Sequence, residues 1–486
     1  MRSLFTRLLS GTAAYQASSI ASALLAVVTL PLYTNALTTS DYGVAETLLT
    51  FIILASILLR FGLGEAFVRY YLMHDEGDER ERLAATTTAA VLITTTLASA
   101  VGVLIAGPLS HLILGFHDAG IMRIGILGMW AFTNLEIAYG LLRVDERRRA
   151  YLTTSLANVV LTVALTVTFV VVLHWGARGY LAGNYIGSTA VLLGLWWTQR
   201  ATIRPRRGSG ASGFTSLKPL LRFGVPTVPA DATVFALNVV DRAYLLRSQS
   251  AAAAGLFALS VKLATAVILA VRGFQLAWPP LAYSIEDDEH ARGFYAAVTT
   301  WFVVVTGLVV AGLTLLGRWV VRLLAAPEYY GAHAALPWVA LGWAMYGLLL
   351  VLVTIGGRAG VTARNFPAAL VGVIVNVTVL LLLVPRLGIA GAGIALVAAY
   401  AVMLVVLYLL TRRLFVVPFE WGRLTHAVVL VGGIAVGGEL LLPTAGFDGF
   451  ALRTLALAAI PLALLATRFM RPDERAGLLG LLKRGR

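Results

Sequence analysis

Apolar runs of about twenty residues recur along the whole chain, and short polar segments separate them. A helix of that length crosses the hydrocarbon core of a bilayer, which is about 30 Å thick. The predicted fold class is therefore an all-α polytopic membrane protein with about fourteen transmembrane helices. The predicted spans are 10–36, 44–66, 83–107, 119–142, 151–173, 180–199, 219–246, 251–280, 294–317, 334–356, 366–384, 389–411, 425–442 and 450–469.

One pattern of a glycine, an apolar run and an arginine occurs twice in this series. Arg60 follows Gly43, and Arg272 follows Gly255, at the same distance along the chain. The repeat predicts two six-helix lobes of the same orientation around a central cavity, followed by two extra C-terminal helices. The predicted segments are an N-terminal lobe, a basic cytoplasmic linker, a C-terminal lobe, two additional helices and a basic cytoplasmic tail, at 1–199, 200–218, 219–411, 412–469 and 470–486.

The amino-acid composition agrees with a membrane protein and argues against several other classes of protein and site. Of the 486 residues 59% are hydrophobic and only 13% are charged, about half the charged share of a soluble domain. The net charge of +14 lies mainly in alternate loops, so we attribute it to membrane orientation and not to nucleic-acid binding. The same distribution predicts a multi-pass protein of the cytoplasmic membrane with both termini cytoplasmic. The absence of cysteine excludes disulfides and thiolate metal sites.

Three cations inside apolar runs are candidate substrate-binding residues. A charge at the bilayer centre costs about 2.5–3.5 kcal/mol, so Arg60 and Arg272 are predicted to approach each other in a cationic cavity between the halves. Lys262 precedes Arg272 by ten residues in the same predicted span and is placed on the same cavity wall. The alternative for both arginines is that the side chain reaches back to the headgroup layer.

The seventh predicted span contains the other candidates. Pro226 and Pro229 fall within one turn and predict a hinge, because proline interrupts helical hydrogen bonding. Asp231 and Arg242 are eleven residues apart and share a helix face. Asp231 is either an ion-coupling site for H⁺ or Na⁺ or a charge partner. Arg242 is either a further substrate-binding cation or half of a local ion pair with Asp241.

No catalytic constellation occurs in the sequence. A phosphate-binding Walker loop is missing, and the seven histidines lack the spacing of metal ligands. The chain is therefore predicted not to be an enzyme and to need no metal or other cofactor, with H⁺ or Na⁺ coupling left open.

Several motifs resemble a known group of exporters. They are Leu-Pro-Leu-Tyr at 30–33, Asp-Tyr-Gly at 41–43, Phe-Gly-Leu-Gly-Glu-Ala-Phe-Val-Arg-Tyr-Tyr at 61–71, Gly-Val-Pro at 224–226, Asp-Arg at 241–242, Gly-Leu-Phe-Ala-Leu-Ser at 255–260, Pro279 and Val-Pro-Arg-Leu-Gly-Ile-Ala-Gly-Ala-Gly at 384–393. With them the chain resembles the polysaccharide-exporter, or lipid-linked oligosaccharide flippase, branch of the multidrug/oligosaccharidyl-lipid/polysaccharide superfamily.

This resemblance implies a flippase for oligosaccharide repeat units linked to undecaprenyl diphosphate, used in cell-surface polysaccharide biosynthesis. The implied partners are the polyprenyl-diphosphate-linked oligosaccharide, membrane lipid, and the polymerase and glycosyltransferases of the same pathway. No nucleic-acid partner is implied. Two functions within the superfamily remain as alternatives. One is a peptidoglycan-precursor (lipid II) flippase, and the other is an ion-coupled multidrug extruder, in which an acidic cavity is expected.

Overall fold

A computed structural model describes residues 24–73, 78–203, 217–358, 365–471 and 474 of the chain. The described segments are helical and joined by short connections. The helices are α1 Leu30–Ala36, α2 Thr39–Leu59, α3 Leu63–Met73, α4 Asp78–Leu104, α5 Ala106–Leu114, α6 Ala119–Val144, α7 Arg148–Val167, α8 Gly176–Thr198, α9 Arg200–Ile203, α10 Leu217–Gly224, α11 Val228–Ser248, α12 Ala251–Leu263, α13 Thr265–Ser284, α14 Asp288–Leu324, α15 Leu336–Arg358, α16 Asn365–Leu387, α17 Ile389–Thr411, α18 Trp421–Leu441 and α19 Gly446–Ala466. The predicted all-α class is confirmed.

Ten helices of the described chain are long and apolar enough to cross a membrane, and α12 with α13 make an eleventh if they count as one bent span. The other three predicted spans correspond to the shorter apolar helix Leu24–Ala36 and to helices α8 and α11. Many apolar side chains on these helices are exposed, among them Leu440 at 77% and Leu441 at 84%. Such side chains are stable against lipid, which identifies a multi-pass membrane protein.

The described residues pack into two compact units. The first unit runs to Lys262 and includes Leu324–Tyr329 and Asn376–Ala392, and the second contains Leu263–Leu323, Tyr330–Val375 and the chain from Gly393 onward. This grouping follows packing within each unit. It does not test the predicted division of the sequence, which therefore stays a prediction: lobes 1–199 and 219–411, linker 200–218, and segments 412–469 and 470–486. Most of that linker and of that tail lie outside the described residues.

The two glycines that open the sequence repeat contact each other within the first unit. A Cβ atom on Gly43 would lie 1.9 Å from the carbonyl oxygen of Ala251, and one on Gly255 would lie 2.0 Å from that of Thr39. Helices α2 and α12 therefore meet through their backbones, because no side chain separates them. This close approach brings the residues of the next helical turns together, and these residues build the candidate site.

A second pair of glycines lies at the other end of α2. Gly62 has φ +67°, and a Cβ atom there would lie 2.0 Å from the carbonyl oxygen of Gly224. Phe61, with φ +49°, and Gly62 are both left-handed, and together they end helix α2 just after Arg60. The close contact holds this end against the segment in which Pro226 lies.

The predicted hinge coincides with a change of helix type. Helix α10 ends at Gly224, a 3₁₀ turn covers Val225–Thr227, and α11 begins at Val228. Pro226 and Pro229 lie at the starts of the 3₁₀ turn and of α11, where a missing N–H leaves no hydrogen bond unmade. The prolines thus mark a junction between helices, and the hinge motion remains a prediction.

Candidate functional site

The centre of the candidate site is Glu46, in the second turn of helix α2. The helix begins where the Thr38 side chain accepts a hydrogen bond from the backbone N–H of Asp41. Glu46 is buried, with 6% of its surface exposed. A carboxylate at that depth requires cationic or hydrogen-bonding partners.

Two cations from distant helices contact this one carboxylate. Lys262 Nζ on α12 lies 2.6 Å from Glu46 Oε1. Arg242 Nη1 on α11 lies 3.4 Å from Glu46 Oε2 and donates to the Glu46 carbonyl oxygen at 3.0 Å and to the hydroxyl of Thr50. The structure therefore brings the predicted residues Lys262 and Arg242 together.

Tyrosine hydroxyls complete the coordination of the lysine. Tyr180 on α8 donates to Glu46 Oε1 at 2.8 Å and accepts from Lys262 Nζ at 2.9 Å, and Tyr42 accepts from the same Nζ at 3.2 Å. The ammonium also lies 5.4 Å and 5.7 Å from the ring centroids of Tyr42 and Tyr180. Cation–π attraction adds to the hydrogen bonds at such distances.

The ionised groups of this cluster carry one negative and two positive charges. The net charge of about +1 favours an anionic ligand, since the single carboxylate cannot neutralise both cations. Lys262 and Arg242 keep 22% and 11% of their side-chain surface exposed. Arg242 Nε is buried and has no hydrogen-bond partner in the described chain, so the guanidinium has a donor to spare. The cluster is thus suited to exchange Glu46 for an incoming anion.

A second buried carboxylate lies beside the cluster but has a different partner. Asp241, which precedes Arg242 on α11, is 1% exposed and accepts a hydrogen bond from Asn376 Nδ2 of α16 at 3.1 Å. Arg242 is directed to Glu46 and Thr50. Asp231, the predicted ion-coupling residue, lies in α11, but its side chain is outside the described part of the structure.

The two repeat-related arginines have different local surroundings. Arg60 is the C-cap of α2, is half-buried and donates through Nε to the carbonyl oxygen of Ser56 at 3.2 Å. Positive charge at a helix C-terminus is favourable, so this contact has a structural explanation. Arg272 lies within α13 and is exposed, in the second unit. Their predicted approach to each other stays a prediction.

The predicted span from 251 to 280 is not one straight helix, because it bends by 50° at a break at Ala264. Lys262 and Arg272 therefore lie on different helices, and a straight-helix spacing does not apply to them. The partner of Lys262 is Glu46, which the sequence analysis did not select, and Tyr42 and Tyr180 were missed as well. The repeated glycines Gly43 and Gly255 could have indicated this pair. Glycines that contact each other bring two helices close together, and Glu46 and Lys262 lie within two turns of them.

The second unit contains a largely apolar cavity of about 740 Å³. Helices α14, α15 and α18 line it, and its α14 wall runs from Val303 to Arg318, about 22 Å along the helix axis. At the Arg318 end of this wall, Arg318 Nη2 lies 2.9 Å from Glu439 Oε1. The cavity thus has a long apolar part and a charged end.

Comparisons with known proteins agree on the fold. The profile of a family described as polysaccharide biosynthesis protein matches residues 8–282, and no curated protein sequence matches. A structure titled lipid II flippase MurJ in an inward closed conformation is 14% identical, with a TM-score of 0.72 over 94% of this chain and 98% of that one. An inward-facing multidrug resistance transporter of the MATE family gives 16% identity and a TM-score of 0.66, over 81% and 94%.

A third similar structure is a transporter of the multidrug/oligosaccharidyl-lipid/polysaccharide superfamily from Pyrococcus furiosus, described as having a binding pocket of reversed polarity. It is 15% identical, with a TM-score of 0.55 over 84% of this chain and 93% of that one. Identities this low show the fold alone. The family profile covers more than half of the chain and agrees with the resemblance seen in the motifs. The chain belongs to the polysaccharide biosynthesis protein family, within the multidrug/oligosaccharidyl-lipid/polysaccharide superfamily.

Proposed function

We propose that the protein is a flippase that moves oligosaccharide repeat units linked to undecaprenyl diphosphate across the cytoplasmic membrane by alternating access. The observation that carries the proposal is the buried cluster in which Glu46 holds both Lys262 and Arg242. Membership of a polysaccharide biosynthesis family supports the substrate class. Both termini are proposed to be cytoplasmic, on the evidence of the positive charge in alternate loops.

The chemistry of the substrate explains why cations are needed. A diphosphate carries negative charge that is unstable in hydrocarbon, and buried cations lower that barrier. In the proposed mechanism Glu46 neutralises Lys262 and Arg242 while the site is empty. The phosphate oxygens then replace the carboxylate, and the planar guanidinium of Arg242 can bind two of them at once.

Arg60 and Arg272 are proposed to line the route of the diphosphate. Arg272 supports this role because it is an exposed cation within an otherwise apolar stretch of helix α13. Arg272→Ala should abolish flipping, and Arg272→Lys should recover only part of it, because lysine cannot reproduce the bidentate contact. Flipping is measured in vesicles with purified protein and a fluorescent undecaprenyl-diphosphate-linked oligosaccharide.

Arg413→Ala is the matched control, since Arg413 is an exposed arginine next to the end of helix α17. Its flipping rate should equal that of the unmodified protein. Full activity in the Arg60→Ala, Arg272→Ala double variant would contradict the proposed role of these arginines. The same vesicles, loaded with lipid II or a cationic dye, test the two alternative functions, and faster transport of either would replace the proposal.

The apolar cavity of the second unit is proposed to hold part of the polyprenyl chain. Its lining from Val303 to Arg318 is long enough for several isoprene units, and apolar walls exclude the sugar. Gly432→Phe should fill the cavity and weaken binding of undecaprenyl diphosphate about tenfold, in line with about 1.4 kcal/mol of lost apolar contact. Binding is measured in lipid nanodiscs.

Gly433→Phe provides the control for this change. A Cβ atom at either glycine meets nothing within 4 Å, but Gly432 lines the cavity and Gly433 does not. The Gly433 variant should therefore bind undecaprenyl diphosphate like the unmodified protein. Equal affinity of the two variants would place the lipid chain elsewhere.

A further inference from the structure

Asp241 and Asn376 form a buried pair that the flippase proposal leaves unused. The two residues are 1% and 0% exposed, and they lie on helices α11 and α16 within the first unit. The single hydrogen bond between them runs from Asn376 Nδ2 to Asp241 Oδ1. The carbonyl oxygen of the same amide, Asn376 Oδ1, is buried and has no donor in the described chain. An unsatisfied polar atom at this depth requires an explanation.

A neutral carboxyl group satisfies this pair better than a carboxylate does. An ionised Asp241 accepts the hydrogen bond from Asn376, keeps a charge buried and leaves Asn376 Oδ1 without a donor. A protonated Asp241 gains an O–H donor. That donor can bond to Asn376 Oδ1 while Asn376 Nδ2 still donates to the other oxygen, so both polar atoms of the amide are paired.

The charged groups around the pair do not alter this preference. Arg242 is adjacent on α11, but its guanidinium is bound to Glu46 of α2, and Glu46 is also paired with Lys262. Helix α16 has no ionisable residue between 365 and 385 and contributes the neutral amide of Asn376. Helix α5 also contacts α11 and contains His111, and its Leu112 carbonyl oxygen accepts a hydrogen bond from Arg247, six residues beyond Asp241 on α11.

We propose that Asp241 and Asn376 form a reversible proton-binding site that is coupled to binding of the diphosphate. A proton adds to Asp241 Oδ2 and forms an O–H bond, and the same bond breaks on release. Protonation removes one negative charge next to the Glu46 cluster, so an anion binds more tightly there. Because linkage is reciprocal, binding of the anion favours uptake of the proton. The coupling, but not the proton site itself, rests on the proposed function.

The proton site is tested by infrared difference spectroscopy on the full chain in lipid nanodiscs. Acidification should produce the C=O stretching band of a protonated carboxyl group in the unmodified protein. Asp241→Asn should lose that band, whereas Asp118→Asn, at an exposed ion pair with Arg178, should keep it. A band of unchanged intensity in the Asp241 variant, or no band in the unmodified protein, would overturn the site.

Asp241→Asn also tests the hydrogen-bond argument. The asparagine side chain has the shape of the neutral acid, and its amide can donate to Asn376 Oδ1. At neutral pH the thermal unfolding midpoint of this variant should be higher than that of the unmodified protein, and acidification should narrow the difference. A lower midpoint at neutral pH would show that Asp241 is better accommodated as a carboxylate and would overturn the proposal.

Coupling is tested by titrating undecaprenyl diphosphate onto each protein at acidic and alkaline pH. The unmodified protein should bind the lipid more tightly at acidic pH than at alkaline pH. Asp241→Asn should lose this difference in affinity. Asp118→Asn should keep it, and any pH effect that comes from titration of the ligand itself is the same for all three proteins. If the affinity of Asp241→Asn depended on pH as that of the unmodified protein does, the coupling would be overturned. It would also be overturned if the affinity changed with Na⁺ concentration at constant pH. If no protein binds the lipid but the infrared band behaves as expected, the flippase proposal fails and the proton site stands.

Discussion

Two buried charge clusters, one in each unit, are stabilised in different ways. In the first unit Glu46 contacts side chains of Tyr180, Arg242 and Lys262, which are far from it in the sequence. In the second unit Arg453, which is 0% exposed, donates mainly to backbone carbonyls near the end of α18 and also contacts the Glu439 carboxylate. Both clusters keep a charge inside a membrane protein.

The difference between the partners indicates a difference in role. Arg453 Nε donates to the carbonyl oxygen of Pro443 at 3.0 Å, and Nη2 donates to those of Leu442 and Glu439 at 3.1 Å and 3.3 Å. These carbonyls are fixed by the backbone and otherwise lack donors at a helix C-terminus, so Arg453 joins α18 to α19. Side-chain partners such as those of Glu46 can rotate away, so of these two clusters the one at Glu46 is better suited to the proposed exchange of a partner for a ligand.

Removal of the Glu46 charge should give the largest effect. Glu46→Gln keeps the size of the side chain but leaves Lys262 and Arg242 buried without a counter-charge, which should lower the free energy of unfolding by about 3–5 kcal/mol. Flipping should be lost as well, because the cations are no longer held in position. Thermal or denaturant unfolding in detergent or nanodiscs measures the first effect, and the vesicle assay measures the second.

Two matched variants make this prediction specific. Asp118→Asn removes the exposed pair with Arg178 and should change stability by only about 0.2–1 kcal/mol. Lys262→Met added to Glu46→Gln removes one uncompensated cation and should recover part of the lost stability. If the Glu46 variant were as stable as the Asp118 variant, the Glu46 cluster would be solvated. The contrast between a buried Glu46 cluster and the Arg453 cluster would then be wrong.

The periodic apolar runs predicted the helices well, because length and hydropathy are local properties of the sequence. The Glu46 cluster could not be predicted in the same way. Glu46 has no cationic partner in its own helix, and only the contact of Gly43 with Gly255 brings Lys262 to it. Such a contact depends on how two helices cross, which neither helix encodes alone.

The arginine repeat shows a second limit of sequence reasoning. Arg60 and Arg272 follow their glycines at the same distance, yet Arg60 ends a helix and Arg272 lies inside one. The difference arises from Phe61 and Gly62, whose left-handed backbones terminate α2, and from Ala264, where α12 breaks. Counting residues from a glycine assumes an uninterrupted helix, and both copies depart from that assumption at different places.

The smaller effect is expected at Arg453, whose removal tests the structural half of the comparison. Arg453→Met retains the apolar part of the side chain but leaves the carbonyls of Leu442 and Pro443 without their donors, at an expected loss of about 1–3 kcal/mol. The loss should be smaller than at Glu46, because Arg318 remains to neutralise Glu439.

Flipping per correctly folded Arg453→Met molecule should stay near that of the unmodified protein, because this arginine binds the chain's own backbone. Arg453→Lys should recover part of the stability, since an ammonium group donates to fewer of the carbonyls. The measurements are the unfolding free energy and the flipping rate normalised to the folded fraction. A variant that folds with unchanged stability but no longer flips the lipid would give Arg453 a direct role in transport, and the distinction between an exchangeable cluster and a fixed one would then be wrong.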